Sequence, residues 1–290
     1  MTRSLVGTGI WSGALRNGDA HETAAAAAEL ESLGYSALWV PDVGGDVFGA
    51  VGNLMAATIS AVVATGILNL WLHTATETAE QHAALTAQHG RRFLCGIGVS
   101  HAPLIDRKVE AGTYQRPMAT TAAFLDALDA AVVPLVVEDR ALAALGPKML
   151  QLAATRTAGV HPYLVTPEHT RVAREAVGPG ALVATEQGVI LETDPERARS
   201  IARTNLERYF ALPNYTNNWR RLGFGDDEIA DGGSDRLIDS LVVWGDEATI
   251  ASRVQEHRDA GASHVCIQVL TDSPSSLPLE QWRILAPALT

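Results

Sequence analysis

The chain has 290 residues, 47% hydrophobic and 19% charged, a balance that builds a globular core and excludes global disorder. Its 22 Lys and Arg against 33 Asp and Glu leave a formal charge of −11, which excludes nucleic acid and an anionic membrane surface as partners of the chain as a whole. No apolar run reaches about 18 residues, so no membrane span is expected, and "MTRSLVGTGIWSG" is too short and too glycine-broken for a signal peptide.

Short apolar runs alternate with longer helical patterns. Residues 6–10 predict a first strand, and 23–33 a helix stopped by Gly34. "SALWVPD" (36–42) is the second strand, 50–63 a helix, and "TGILNLWLH" (65–73) the third strand. A helix over 77–88 precedes "RFLCGIG" (92–98), the fourth. A helix over 118–130 leads to "RALAAL" (140–145), a short fifth strand, after which Gly146-Pro147 opens a helix over 148–156. "HPYLVT" (161–166) is the sixth, with Pro167 in the first turn of the next helix. "QGVILETD" (187–194) is the seventh, followed by a helix over 195–209. A helix over 247–260 precedes "SHVCIQVL" (263–270), the eighth.

Eight strand–helix units with no strand-only block predict an α/β fold, a single (β/α)8 TIM barrel spanning 1–290; an open doubly wound sheet is the alternative. Residues 213–243 are mixed, aromatic and charged, and predict a helical insertion beside the barrel before the eighth strand. Cys95 and Cys266 each sit inside an apolar run and read as buried thiols of a reducing compartment, so a cytoplasmic location is expected.

A barrel works at the C-terminal ends of its strands. The residues to weigh are Trp11, Asp42, 69–73, Ser100, His101, Leu145, Gly146, Thr166 and Gln268. Glycines gather there, but "GTGIWSG" has one residue too many for a dinucleotide fingerprint and "GIGVSH" lacks the third glycine. The nine histidines are scattered, without metal-ligand spacing, and there is no G-x-S-x-G elbow. Trp11, Trp39, Trp71, Trp219 and Trp244 can line a site for a flat ring system or simply pack the core.

In order and spacing, "LESLGYSALWVPD", "ATGILNLW", "GRRFLCGIGVSHAPLI", "LAALGPKMLQLAATRTAGVHPYLVTPEHT" and "WGDEATIASRVQEHRDAGASHVCIQVL" resemble the luciferase-like monooxygenase superfamily over nearly the whole chain. They resemble most its actinobacterial branch of coenzyme F420-dependent oxidoreductases. The resemblance implies a barrel that binds a deazaflavin, or alternatively FMN, at its mouth. It implies an acid near the coenzyme at Asp42, and a bulge with a non-prolyl cis bond at Gly66–Ile67 followed by Leu68 and Asn69. It implies a coenzyme cradle at Gly98, Val99 and Ser100, at Ala144, Leu145 and Gly146, and at Thr166. Two positions depart from related sugar-phosphate dehydrogenases: Val43 stands where they have histidine, and His101 where they have glutamate. His101 is therefore the candidate for proton transfer, since imidazole ordinarily titrates near 6.5; capping a turn is its other reading.

The function implied is hydride transfer between F420 and a small organic substrate. The alternatives are an FMN-dependent monooxygenase and a barrel that binds coenzyme without turnover. Relatives are often dimers, which implies a homodimer by analogy. Asp42 can instead cap a helix, and His73 can border the pocket or cap a loop. Arg220, Arg221 and Arg236 can meet an anionic coenzyme tail, but such arginines more often form surface pairs and are left out of the site; Tyr209 and Trp219 read as lining on the substrate side.

Overall fold

The computed structural model describes residues 5–290; residues 1–4, which open the segment read for a signal peptide, lie outside the described residues. The strands are β1 (Gly7–Trp11), β2 (Ala37–Val40), β3 (Val62–Thr65), β4 (Leu68–Asn69), β5 (Phe93–Gly98), β6 (Arg140–Leu142), β7 (Gly159–Val160), β8 (Leu182–Ile190), β9 (Val242–Trp244) and β10 (His264–Val269). They pair in the order β10-β1-β2-β3-β5-β6-β7-β8, and β8 pairs back onto β10 over Ala184–Val189 and His264–Val269. This closes an eight-stranded parallel barrel, with helices between successive strands. β4 continues the third barrel strand beyond a bulge and pairs with β5, and β9 adds to the far end of β8.

The strands read as unbroken apolar runs because both of their faces are buried. In β2, Leu38 and Val40 pack outward against the helices, whereas Ala37 and Trp39 pack inward with Trp11, Ala64, Leu94, Ala141, Ala184 and Cys266. Trp39 stacks on His161 at 4.3 Å and donates from Nε1 to His264 Nε2 at 3.1 Å. The helices start on side-chain caps that occupy otherwise unpaired N–H groups, among them Asp19, Asp46, Thr74, Thr166, Asp194 and Asp246. Cys95 and Cys266 are buried free thiols.

The expected insertion is present as helices Pro213–Arg221, Asp226–Ile229 and Asp235–Leu241. These share an apolar cluster with helix Pro195–Leu206, built on Tyr209, Tyr215, Trp219 and Leu237. Residues 242–243 belong to β9 rather than to the insertion.

Several boundaries differ from expectation for identifiable reasons. The third helix runs Val47–Ala57, and Val62 and Val63 already lie in β3. The Glu31 carboxylate accepts from the N–H groups of Ile59, Ser60 and Ala61 at 2.7, 2.6 and 2.6 Å, which takes those three residues out of the helix. The sixth barrel strand is Gly159–Val160, and "HPYLVT" is its exit loop: Pro162 has no N–H, and Leu164 is left-handed at φ 52°. The seventh starts at Leu182, five residues early, because its Thr185-Glu186-Gln187 step is buried although polar. Short helices Gly13–Asn17 and Ala102–Lys108 were not anticipated.

Candidate active site at the barrel mouth

Strand three breaks at a cis Gly66–Ile67 bond, and β4 resumes at Leu68. The glycines of β5 make room for this bulge. A Cβ on Gly96 would lie 2.1 Å from Thr65 O, and one on Gly98 would lie 2.6 Å from Ile67 Cγ1. Gly98 is therefore glycine because Ile67 rests on it. A Cβ on Gly66 would meet Trp11 Nε1 at 2.6 Å and His161 Nε2 at 2.9 Å, and Trp11 Nε1 donates to the Gly66 carbonyl at 3.0 Å. The carbonyls of Gly98, Val99 and Ser100 are all occupied, by Leu70 N, Trp71 Nε1 and Asn214 Nδ2.

Asp42 stands behind the bulge and caps no helix. Its Oδ2 accepts from Asn69 N at 3.0 Å and meets His73 Nε2 at 3.0 Å, and its Oδ1 accepts from Gly44 N at 3.1 Å. Burial pushes the Asp42 carboxyl up, but these donors together hold it below its ordinary value. The hydrogen bond to Asp42 raises His73 against its own burial. The imidazole that meets Asp42 thus comes from the chain beyond β4, not from position 43, which is valine.

Beyond β6, Leu145 O and His169 Nε2 are 2.9 Å apart, and Thr166 caps the helix Pro167–Val177 by accepting from His169 N. Gly146 starts the helix Pro147–Arg156 without a side-chain cap. Arg221 Nη2 is 3.8 Å from where a Gly146 Cβ would lie, and it donates to Asn218 Oδ1 at 3.1 Å. Arg220 and Arg236 pair with Asp226 and Glu228, as surface arginines do, but Arg221 has no acidic partner among the described residues. Asn218 Nδ2 is buried without a partner.

The insertion helix Pro213–Arg221 roofs this arc. Asn214 Nδ2 reaches Ser100 O at 3.2 Å and His101 Nδ1 at 3.3 Å, and the rings of His101 and Tyr215 lie 5.1 Å apart. His101 occupies the N-cap position of Ala102–Lys108, but its side chain makes no capping bond. Burial, assisted by the Arg208 charge, lowers its pKa to about 4. The ring is therefore neutral throughout the range near pH 6.5 where an ordinary imidazole titrates, and with Nδ1 accepting from Asn214 its proton lies on Nε2.

On the other side of the mouth is a cavity of about 560 Å3. Its lining includes Trp11, Pro41, Val43, Tyr163, Leu164, Glu186, Arg208, Tyr209, Gln268 and Leu270, from the C-terminal ends of β1, β2, β7, β8 and β10 and the 3-10 turn Glu207–Ala211. Neither His101 nor any of the twelve residues that the resemblance assigns to the coenzyme lines it, whereas Trp11 and Gln268, weighed from their place at strand ends, do. Trp11 joins the two halves, since it borders the cavity and binds Gly66 O. Tyr209 lines the cavity as expected, whereas Trp219 is buried in the insertion and donates to Leu164 O.

Sequence reasoning missed Glu186, whose signal was a charge inside "LVATEQGVI". It is 1% exposed; Oε2 accepts from Leu164 N at 3.0 Å, and Oε1 is buried without a partner. Burial pushes its carboxyl up to about 8. Beside it runs a chain of donors: Arg208 Nη2 to Tyr209 OH at 2.7 Å, the two tyrosine hydroxyls at 3.0 Å, and Tyr163 OH to Gln268 Oε1 at 2.8 Å. Among the described residues, no group of three or more His, Cys, Asp or Glu is placed to hold a metal.

Residues 3–264 match the family model of luciferase-like monooxygenases. No curated protein matches the chain. Its fold is similar to that of an F420-dependent secondary alcohol dehydrogenase in complex with an F420-acetone adduct: TM-score 0.75, 13% identity, covering 98% of this chain and 99% of that one. It is also similar to the coenzyme F420-dependent tetrahydromethanopterin reductase of Methanopyrus kandleri: TM-score 0.70, 17% identity, 98% of both chains. A third is the oxygenating constituent of 3,6-diketocamphane monooxygenase of Pseudomonas putida, in complex with FMN: TM-score 0.65, 14% identity, 97% and 96%.

Proposed function

The chain belongs to the luciferase-like monooxygenase family, and from that premise we propose that it is an F420-dependent oxidoreductase acting on a small organic substrate. The observation that carries this reading is the cavity of about 560 Å3 at the strand ends, joined through Trp11 to the Gly66–Ile67 bulge. Ligand pockets span about 300–1,000 Å3 and are mostly apolar with a few directed polar groups. The lining of Trp11, Pro41, Val43, Tyr163, Leu164 and Tyr209 is of that kind.

The residues present fit an anionic coenzyme. The uncapped helix start at Gly146, Arg221 without an acidic partner among the described residues, and the unpartnered Asn218 Nδ2 together complement a phosphate. Gly66, Ile67, Leu68 and Asn69, with Trp11, would hold the ring system from the bulge side, and Asp42 and His73 keep that bulge in place from behind. Gly98, Val99, Ser100, Ala144, Leu145, Gly146 and Thr166 would flank the remainder. When bound, the coenzyme supplies two-electron hydride chemistry; the protein orients it and excludes water. His101, neutral and carrying its proton on Nε2, would donate a hydrogen bond to the reacting region.

FMN is the second reading, favoured by the similarity to an FMN-bound monooxygenase. Titration of the purified chain with F420 and with FMN, followed by coenzyme fluorescence, separates the two. Tight F420 binding is expected, and tight FMN binding without any F420 response would overturn the assignment.

A further inference from the structure

Four features of the mouth cavity are unused by the coenzyme cradle. Glu186 Oε1 is buried and unpartnered while Oε2 is held by Leu164 N. Arg208 lines the cavity and lies over the Tyr209 ring at 4.7 Å, with no carboxylate partner among the described residues in a chain of charge −11. Tyr209 and Tyr163 relay donors from Arg208 to Gln268, so neither hydroxyl offers Arg208 a negative charge. Leu164, which fixes Glu186, is itself left-handed at φ 52°.

We propose that this cavity takes a small organic carboxylate bearing a carbonyl group, with Arg208 as partner of the carboxylate and Glu186 as the acid facing the carbonyl. The inference rests on the oxidoreductase reading for its redox step, but not for its binding step. An arginine at a cavity rim attracts carboxylate through charge-assisted, often bidentate hydrogen bonds. A carboxyl group with one oxygen held by a backbone N–H and the other lacking any acceptor presents its proton to whatever enters. In reduction, the carbonyl carbon accepts a hydride from the reduced coenzyme, the C=O π pair moves to oxygen, and that oxygen takes the proton of Oε1. Glu186 is left as carboxylate and regains a proton from solvent. Oxidation of the alcohol runs the same exchange backwards.

The titratable groups facing Glu186 are Tyr163, Tyr215 and the thiol of Cys266, with Arg208 and Tyr209 beyond them. Burial holds Tyr163 and Tyr215 well above the ordinary tyrosine value and raises the Cys266 thiol. Between pH 7 and 9, the group that changes charge here is therefore Glu186, whose carboxyl burial moves to about 8.

The test is calorimetric binding to the full chain without coenzyme, so that it is independent of the coenzyme titration. The probes are levulinate and phenylpyruvate, each against its uncharged amide. The carboxylates are expected to bind at least about tenfold more tightly than the amides, the size of one charge-assisted hydrogen bond. That preference should vanish in Arg208→Gln, return in Arg208→Lys, and persist in Arg236→Gln, which alters an ion pair with Glu228 and a contact with Phe224, both away from the cavity lining. Carboxylate binding should weaken as pH rises through 8, and this dependence should be lost in Glu186→Gln. Equal binding of acid and amide, no binding of either carboxylate, a preference that survives Arg208→Gln, or an unchanged pH dependence in Glu186→Gln would each overturn the proposal, whatever coenzyme the chain binds.

Discussion

His73 Nε2 lies 3.0 Å from Oδ2 of Asp42, whose side chain is wholly shielded from solvent. The pair ties the loop beyond β4 to the end of β2, across the bulge that faces the mouth. Its two members shift in opposite directions, Asp42 down and His73 up.

The pair fixes a pH signature. A histidine raised in the folded state contributes stability that is complete below its unfolded value of about 6.5 and is lost as pH rises through its folded value. The lowered aspartate contributes above its unfolded value of about 3.9 and loses that contribution as pH falls. The difference in melting temperature between wild type and His73→Gln should therefore be largest between about pH 4 and 6.5 and shrink on the alkaline side. Asp42→Ala, which also strands the N–H groups of Asn69 and Gly44, should cost about 3 kcal/mol or more in denaturant titration. A wild-type–mutant gap that widens as pH rises above about 6.5 would refute the assignment.

Gly66→Ala tests the seam between bulge and cavity. The new Cβ would stand 2.6 Å from Trp11 Nε1, so Trp11 must leave its bond to the Gly66 carbonyl or the bulge must shift. Overpacking of this kind costs about 1–3 kcal/mol, and coenzyme affinity should fall with it. Gly90→Thr is not the fair control, since Gly90 has φ 81°; Gly180→Ala is, because nothing lies within 4 Å of its Cβ and its φ is unrestricted. The two variants are compared by thermal melting and by coenzyme fluorescence titration.

The repeat of apolar strand and helical period is local, which is why the barrel and the position of the insertion were legible in the chain. Gly66–Ile67 and the cradle residues were placed by family resemblance, and the cis bond is present. What was not legible depends on contacts between distant residues. Glu31 ends a helix by capturing N–H groups 28 to 30 residues away. His73 meets Asp42 from across a 31-residue separation. Glu186 sits in a strand whose polar step hid its beginning, and the absence of a partner for its Oε1 is a property of the closed barrel. The His101 ring was expected near its ordinary pKa, but its burial depends on Tyr215 of the insertion roof.

Arg221 should discriminate coenzymes by their phosphate. Arg221→Gln should weaken FMN or F420 binding by about 10-fold or more, in line with the loss of a charge-assisted contact. Riboflavin, which has no phosphate, should bind wild type and variant alike. Arg220→Gln and Arg236→Gln remove surface pairs of about 0–1 kcal/mol and should leave both affinities unchanged. Equal losses for riboflavin and FMN in Arg221→Gln would place the arginine elsewhere.

Acid should unfold the barrel early. Burial lowers His161 to about 4 and His257 and His264 to about 3. A depressed folded value means stability that is full above about pH 6.5 and is lost as pH falls toward the folded value, because the unfolded chain takes up the protons first. The melting temperature at pH 5 should lie well below that at pH 7. In His257→Gln, which removes the ring between Thr170 and Gln187, the difference should narrow. An unchanged pH 5 to pH 7 difference in that variant would rule out His257 as a contributor.

His101 should act as a neutral hydrogen-bond donor rather than as a group that titrates during turnover. Its ionisation near 4 leaves the ring uncharged across the working range, and Asn214 holds Nδ1 as acceptor. With the active coenzyme, His101→Ala should lower kcat/KM by about 10²-fold, the usual range for one positioned proton-handling group. His101→Gln, which keeps an N–H donor at similar reach, should retain more of the rate. Asn214→Ala should fall between them, since it frees the ring without removing it. The kcat/KM profile should show no limb near pH 6.5 that belongs to His101. If wild type has such a limb and His101→Gln abolishes it, the imidazole titrates in the working range, and His101 is the acid or base that its ordinary chemistry first suggested.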